Sequence, residues 1–336
     1  MSDVMIEARE LSKQYGSVHA LQNVSFSIRR GEVVGFLGPN GAGKTTTMKI
    51  LTCYLAPSSG SATVNGADVF GDSLGVRKSI GYLPESTPLY TEMRVSEYLQ
   101  FMANMRGIKG PEALKRIATV AEQTSLTDVL HKEIRHLSKG YRQRVGIAQA
   151  LVHQPPILIL DEPMSGLDPN QAHEIRDLIR DLGKERTVIL STHNLAEVQV
   201  TCQRVLIIAK GQIAADDTPD QLRARAGKPR FAVTLAKGDA AMEESRFRQR
   251  ARELLSALEH VEAVEERSAK EGELTLVVVP KGFDDLRSAI SKALAQEGFV
   301  IMGLSQEGED LEQVFRQLTV GASAASTPGA SSGKGA

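Results

Sequence analysis

Residues 38 to 45 read GPNGAGKT, which fits the spacing G-x-x-x-x-G-K-T in full. That spacing builds a cradle for phosphate. Gly38, Gly41 and Gly43 let the backbone curl, so that the N–H groups of Gly38, Asn40, Gly41, Ala42 and Gly43 turn inward as a nest of donors, with Pro39, which has no N–H, shaping the loop between them. Lys44 adds a full cation for the outer phosphates of a nucleoside triphosphate. Thr45 offers a hydroxyl to Mg²⁺, and Thr46 a further donor. A Gly-rich turn with a chance lysine has the same letters, so the flanks decide. EVVGFLG runs apolar into the turn as a strand. KTTTMKILTCYL leaves it as a helix, whose N-terminal dipole adds partial positive charge at the same place.

Two further groups belong with this cradle. ILILDEP, at 157 to 163, is a continuous apolar run ending in two carboxylates, the pattern of a parallel strand covered on both faces. Ligands of open α/β sheets bind along the carboxyl ends of such strands. Asp161 there would hold a Mg²⁺ shell through water, and Glu162 would orient and activate an attacking water. His193 ends a second buried strand, RTVILSTH, at the same sheet edge, where it can hydrogen-bond a γ-phosphate or the attacking water.

The elements that must position these groups follow from periodicity. Residues 4 to 36 alternate apolar and polar side chains as half-buried antiparallel strands. ATVNGADV and SIGYLPE read as short strands. Residues 88 to 153 are mainly helical, with apolar residues at helical spacing in VSEYLQFMANMRGI, ALKRIATVAEQTSL and YRQRVGIAQALVHQ. NQAHEIRDLIRDLG is a helix ending at Gly183, NLAEVQVTC another, and RVLIIAKGQIAADD a hairpin turning at Lys210-Gly211. Beyond RARAGKPR come strand FAVTLA, helix ESRFRQRARELLSALEH, strand LTLVVVP, helix DDLRSAISKALAQEG, strand VIMGLS and helix DLEQVFRQLT. That alternation suggests a small α+β domain, for which a ferredoxin-like arrangement is one form. The tail SAASTPGASSGKGA cannot bury enough apolar area to offset its ordering entropy and is expected to be disordered.

Composition sets outer bounds. The 336 residues suffice for two ordinary domains, and 41% hydrophobic with 24% charged residues is ordinary globular usage. Aromatics are 4% with no Trp, so the core must be aliphatic. A net charge of -1 gives no overall footprint for nucleic acid, and none is expected as a partner. Cys53 and Cys202 supply neither a disulfide framework nor metal-ligand spacing. No stretch approaches the roughly 20 apolar residues that span a bilayer, so any membrane part must come from another chain.

The order of the remaining motifs resembles the ATP-binding cassette (ABC) ATPases over roughly residues 4 to 225. LSKGYRQR at 137 to 144 precedes ILILDEP and is similar to the signature LSGGQ of that family. Ser138 and Gly140 match it, while Lys139 and Tyr141 depart. SGLD at 165 to 168 and STH at 191 to 193 follow in the family's order. The resemblance implies an α/β P-loop core with an antiparallel β subdomain and a helical subdomain over about 88–153. The nucleotide-binding domain would be 1–227, the accessory α+β domain 228–320 and the tail 321–336. It implies ATP hydrolysis with Mg²⁺ and a head-to-tail dimer, of this chain or with a relative. In that dimer each P-loop faces the other subunit's Ser138 and Gly140. It places Tyr15 against adenine and Asp168 across the dimer interface.

The resemblance further implies a separate integral-membrane permease, with this chain a cytoplasmic subunit held peripherally on the inner face of the cell membrane. One wall of the permease groove would be PLYTEMRVSEYLQFMANMRGI. Glu85 stands where the family has a Gln that senses Mg²⁺. A carboxylate can ligate the same hard cation, at the cost of negative charge beside Asp161 and Glu162. GYLPE, EPMSGLDPNQ and the ending LEQVFRQLT are similar to ATPase subunits of ABC-2-type exporters, including those named for gliding motility. Two alternatives stay open: an ABC ATPase acting on ribosomes or DNA, and a P-loop kinase or GTPase. The second lacks an N-K-x-D guanine motif. Fold analogy does not choose a role for the C-terminal domain.

Overall fold

In the computed structural model the alternating N-terminal residues form two long strands, β1 (Val4–Tyr15) and β2 (Val18–Arg29), paired antiparallel. The apolar run that follows becomes β3 (Val33–Leu37), buried at every residue, and leads through the glycine-rich loop into α1 (Lys44–Leu51). β4 (Ser59–Val64) and β5 (Ala67–Asp68) return to the first two strands and complete an antiparallel sheet of order β2-β1-β4-β5. A short helix, α2 (Ser73–Ser79), precedes β6 (Ile80–Leu83). The described residues are 3–225, 229–237, 243–270, 272–307 and 311–320. The expected tail, and 226–228 at the expected domain boundary, lie outside them.

The helical stretch resolves into α3 (Val95–Met105), α4 (Gly110–Gln123) and α5 (Lys139–Leu151). α4 buries Ala113, Ile117, Val120 and Ala121, the single stripe expected of a 3.6-residue period. Residues 88–94 ahead of α3 are not helical. β7 (Ile157–Asp161), α6 (Pro169–Gly183), β8 (Thr187–Thr192), α7 (Leu195–Thr201), β9 (Arg204–Ala209) and β10 (Gln212–Asp217) follow. α6 ends at Gly183 as its sequence indicates. The β9–β10 hairpin turns on Lys210 and Gly211, both at positive φ, which suits the strands' twist.

A second sheet runs β10-β9-β3-β8-β7-β6, parallel throughout except for the pair β10–β9. β7 and β8, like β3, are buried at every position, so continuous apolar runs rather than alternation encode them. Phe26 on β2 meets Phe36 on β3 edge-on, with centroids 5.2 Å apart, and joins the two sheets in one aliphatic core. This sheet order fixes the site. The carboxyl ends of β3, β8 and β7 lie side by side, with Leu37 opposite Thr192 and Asp161 opposite Ser191.

The chain divides into two compact units, Met1–Pro219 with the segment from Arg316, and Asp220–Phe315. After α8 (Pro219–Arg225), the second unit runs β11 (Arg230–Ala236), α9 (Glu244–Ser256), β12 (Val261–Lys270), β13 (Glu273–Pro280), α10 (Arg287–Gln296) and β14 (Val300–Glu307). α11 (Leu311–Val320) follows. Its antiparallel sheet has the order β12-β13-β11-β14. The β-α-β-β-α-β succession in that order is ferredoxin-like. Phe231, Val233 and Leu235 meet Leu274, Leu276 and Val278 on one sheet face, under Phe247, Ala251 and Leu255 of α9 and Ile290 and Leu294 of α10. Among the described residues no helix is long and apolar enough to cross a membrane, and Cys53 and Cys202 are free thiols.

Candidate active site

At two positions the loop after β3 tolerates no side chain. A Cβ on Gly38 would lie 2.3 Å from the carbonyl oxygen of Ile208 on β9. Gly43, at φ 112°, caps α1 in a conformation L-residues avoid, and a Cβ there would lie 2.8 Å from the Ala20 carbonyl on β2. The loop is therefore pressed between the two sheets, and its Ala42 N–H is bonded to the Pro39 carbonyl at 3.2 Å. Gly38 N–H is tied to the Thr192 carbonyl at 3.3 Å. Lys44 is buried, and its Nζ donates to the carbonyls of Gly38 (2.7 Å) and Pro39 (3.3 Å), which folds the ammonium over the loop.

A pocket of about 210 Å³ opens at this point. Asn40, Gly41 and Gly43 line it from the loop, Lys44, Thr45 and Thr46 from α1, Ala20 from β2, Glu85 from the segment after β6, and Glu162 from the end of β7. The structure thus brings the predicted phosphate residues to one place with two of the predicted carboxylates. Glu85 is exposed at the rim. Half-buried Tyr82, three residues earlier, has its phenol pKa raised by burial, then by the Asp161 and Glu85 carboxylates.

Asp161 and Glu162 are adjacent in sequence but differently placed. Asp161 is fully buried, and its Oδ1 accepts from the Ser191 hydroxyl. Its other oxygen, Oδ2, is buried with no hydrogen-bond partner in the protein. Burial raises the Asp161 pKa above the ordinary carboxylate value. Donors on Ser191 and Thr45 oppose the shift, Glu162 adds to it, and Lys44 opposes it. A bare buried carboxylate oxygen, with the Thr45 hydroxyl beside it, is an arrangement that a hard cation with oxygen ligands fits. Glu162 sits at φ 50°, a left-handed turn at the strand end. Its N–H is shared between the Ser191 carbonyl and the Ser191 hydroxyl oxygen, both at 3.1 Å.

That turn aims the Glu162 carboxylate back at the pocket. Oε1 lies 3.5 Å from Lys44 Nζ, and His193 Nδ1 lies 3.1 and 3.0 Å from the two oxygens. Because an ionised carboxylate only accepts, Nδ1 must carry a proton, which leaves Nε2 of a neutral ring as an acceptor. The imidazole itself is about half exposed.

Other predicted residues stand apart from this pocket. Tyr15, at the end of β1, is 48% exposed, and Lys13 Nζ is 5.3 Å from its ring centre. Ser138 caps α5 and accepts from Tyr141 N–H at 3.3 Å, while Gly140 packs where a Cβ would meet Gln171 Oε1. Asp168 caps α6, accepting from the N–H groups of Asn170 and Gln171 at 3.0 Å. Sequence reading missed Ser191. Its only signal was membership of STH, because its partners come from the neighbouring strand.

Comparison with known proteins bears on the whole chain. The family model described as ABC transporter matches residues 21–165. The ABC transporter ATP-binding protein YxlF of Bacillus subtilis (strain 168) is 32% identical over 314 residues, which is 94% of this chain and 99% of that protein. The linearmycin resistance ATP-binding protein LnrL of the same organism is 36% identical over 224 residues, 66% of this chain and 72% of LnrL. Among solved structures, the ATP-binding cassette MJ0796, in a dimeric post-hydrolysis state bound to ADP and Pi, superimposes with a TM-score of 0.59. It is 25% identical and covers 64% of this chain and 99% of the cassette. With a relative matched from end to end and the phosphate pocket in place, this chain belongs to the ABC transporter ATP-binding proteins and is an ATP-binding, ATP-hydrolysing transporter subunit.

Proposed function

We propose that the chain works as one half of a dimer closed around two ATP molecules, and that this closure drives a separate permease of the ABC-2 exporter type. The observation that carries the reading is the Glu162 carboxylate, held between Lys44 and His193 at the mouth of the P-loop pocket. Lys44 turns from its carbonyl partners to the β- and γ-phosphates, with the loop N–H groups around them. Thr45 and Asp161 would hold Mg²⁺, with Glu85 contributing an outer carboxylate. The ion, when bound, neutralises charge on the phosphate oxygens. Glu162 takes the proton of the attacking water. His193 donates Nδ1–H to Glu162, which orients the base, and its Nε2 faces a separate partner on the far side of the ring.

Tyr15 stacks on adenine, and Ser138 and Gly140 complete the site of a second copy. Residues 1–227 form the nucleotide-binding domain and 228–320 an accessory domain that contacts the dimer or regulates turnover. A subunit of this kind works in the cytoplasm against the membrane, with the permease supplying the span. The solved MJ0796 cassette is described as dimeric, which supports the closed pair. LnrL is named for linearmycin resistance, and removing a toxic compound is work for an exporter.

Mixing two inactive variants tests the composite site. Ser138→Arg blocks the signature and Lys44→Ala empties the P-loop of its cation, so each alone is inactive. A mixed dimer has one site with both parts intact and is expected to regain ATP hydrolysis. No recovery across a range of mixing ratios, with both variants folded, would refute completion by a second copy.

A further inference from the structure

Ser191 is the penultimate residue of β8, fully buried and directly opposite Asp161 in the parallel register. We propose that Ser191 is a positioning residue for both acidic side chains, fixing which Asp161 oxygen stays bare and holding Glu162 in the turn that aims it. The proposal rests on the roles given above to Asp161 and Glu162.

The hydroxyl has one hydrogen and two lone pairs. Its hydrogen goes to Asp161 Oδ1. One lone pair receives the Glu162 N–H at 3.1 Å, and the Ser191 carbonyl receives the same N–H at 3.1 Å. With its proton committed, the hydroxyl is directional. A carboxylate has near two-fold freedom about its last torsion. Tying one oxygen breaks that symmetry and leaves Oδ2 as the oxygen without a hydrogen-bond partner. The shared N–H contact also secures a non-glycine residue at φ 50°, a left-handed conformation that L-residues avoid.

The neighbouring hydroxyl cannot substitute. Thr192 Oγ1 donates to Glu197 Oε2 at 2.6 Å and accepts from Asn194 N–H at 3.1 Å. In Ser191→Ala the carbonyl contact remains. Asp161 then loses the Ser191 hydroxyl that ties Oδ1.

The test uses the full chain with Mn²⁺ as probe. Three readouts are taken: Mn²⁺ affinity of the complex with a non-hydrolysable ATP analogue by EPR, nucleotide affinity in EDTA, and melting temperature. Ser191→Ala is expected to weaken Mn²⁺ binding by about 10-fold, within the range found when partners of metal ligands are removed. kcat should fall and stay low at saturating metal, because Glu162 is also loosened. Nucleotide affinity in EDTA should stay within about twofold, because the loop and Lys44 are untouched. Ser191→Thr, which restores the hydroxyl, should recover most of both losses. Unchanged Mn²⁺ affinity in a folded Ser191→Ala overturns the proposal. So does a Ser191→Thr that melts like the parent yet is as defective as the alanine variant. If Ser191→Ala does not fold, Ser191→Cys, closer in size and a poor donor, carries the same expectations. Asp161→Ala is the control. If it leaves Mn²⁺ affinity intact, the metal role of Asp161 fails; if it abolishes binding while Ser191→Ala does not, only the role of Ser191 fails.

Discussion

Glu162→Gln removes a charge and a base while keeping the shape of the side chain. The glutamine carbonyl can still accept from His193 Nδ1, so the contact now at 3.0 Å survives. What disappears is the proton acceptor for water, worth about 10²–10⁴-fold in rate. At about 1.4 kcal/mol per decade, that is roughly 3–5 kcal/mol of barrier. The pull on Lys44 also disappears. Two unit charges 3.5 Å apart attract by about 5 kcal/mol at an effective dielectric of 20. Most of that is offset by the cost of holding both away from water. With all carboxylates ionised, the charge around the pocket is Lys44 (+1) against Asp161, Glu162 and Glu85 (-1 each), a net -2. The substitution makes it -1, which favours a polyanion, and releases Lys44 toward phosphate. ATP binding should therefore hold or tighten while turnover falls at least about 100-fold. Rapid-quench single-turnover hydrolysis and a fluorescent-nucleotide titration, run on the same preparation, separate the two effects. Turnover within threefold of the parent would refute Glu162 as the base. Parallel loss of binding and turnover would refute the claim that the substitution leaves the pocket's shape intact.

Two further outcomes follow from the same geometry. Glu85→Gln should raise the Mg²⁺ concentration that gives half-maximal ATPase activity, since a charged oxygen is lost from the rim; a Mg²⁺ curve that superimposes on the parent's would remove Glu85 from metal handling. Gly38→Ala forces a methyl group toward a backbone oxygen now 2.3 Å from that position, so a loss of about 1–3 kcal/mol in stability and weakened nucleotide binding are expected. Parent-like melting and titration curves would contradict the close packing of the loop.

The phosphate loop was legible because its whole logic is contiguous: strand, glycines, cation and helix fall within residues 33–51. Asp161, Glu162 and His193 were legible because each ends an apolar run that only a buried parallel strand explains. Ser191 was not, since nothing in STH tells that its hydroxyl faces Asp161 until β7 and β8 are paired in register. β12 escaped for another reason. VEAVEERSAK sits at the edge of its sheet, and its interior positions are mostly exposed glutamates and small residues, so neither alternation nor an apolar run marks it. α2 and α8 each bury a single side chain, Val76 and Leu222, too little to leave a period. The domain boundary expected at 227/228 falls by residues whose placement is not described, while the compact units part at Pro219 and Asp220.

The features that make the site competent also work against the fold that holds it. Asp161 is ionisable, fully buried and bare at one oxygen, and a buried acceptor without a partner costs about 1–3 kcal/mol. Its folded-state pKa lies above the ordinary value because burial outweighs the donors on Ser191 and Thr45. For an acid shifted in that direction, the favourable contribution is complete below the unfolded-state pKa. It is lost as pH rises through the folded-state value. Ionising the folded side chain therefore opposes folding. Glu162 adds a left-handed backbone that glycine would adopt more easily. Neither arrangement is what packing alone selects, and both lie at one sheet edge facing the same pocket. On the proposed reading, a bound cation would offset the buried charge of Asp161 and the phosphates would compete with Glu162 for Lys44. A conformational change that follows nucleotide occupancy needs such a difference between states, and on that reading this end of the sheet would supply it.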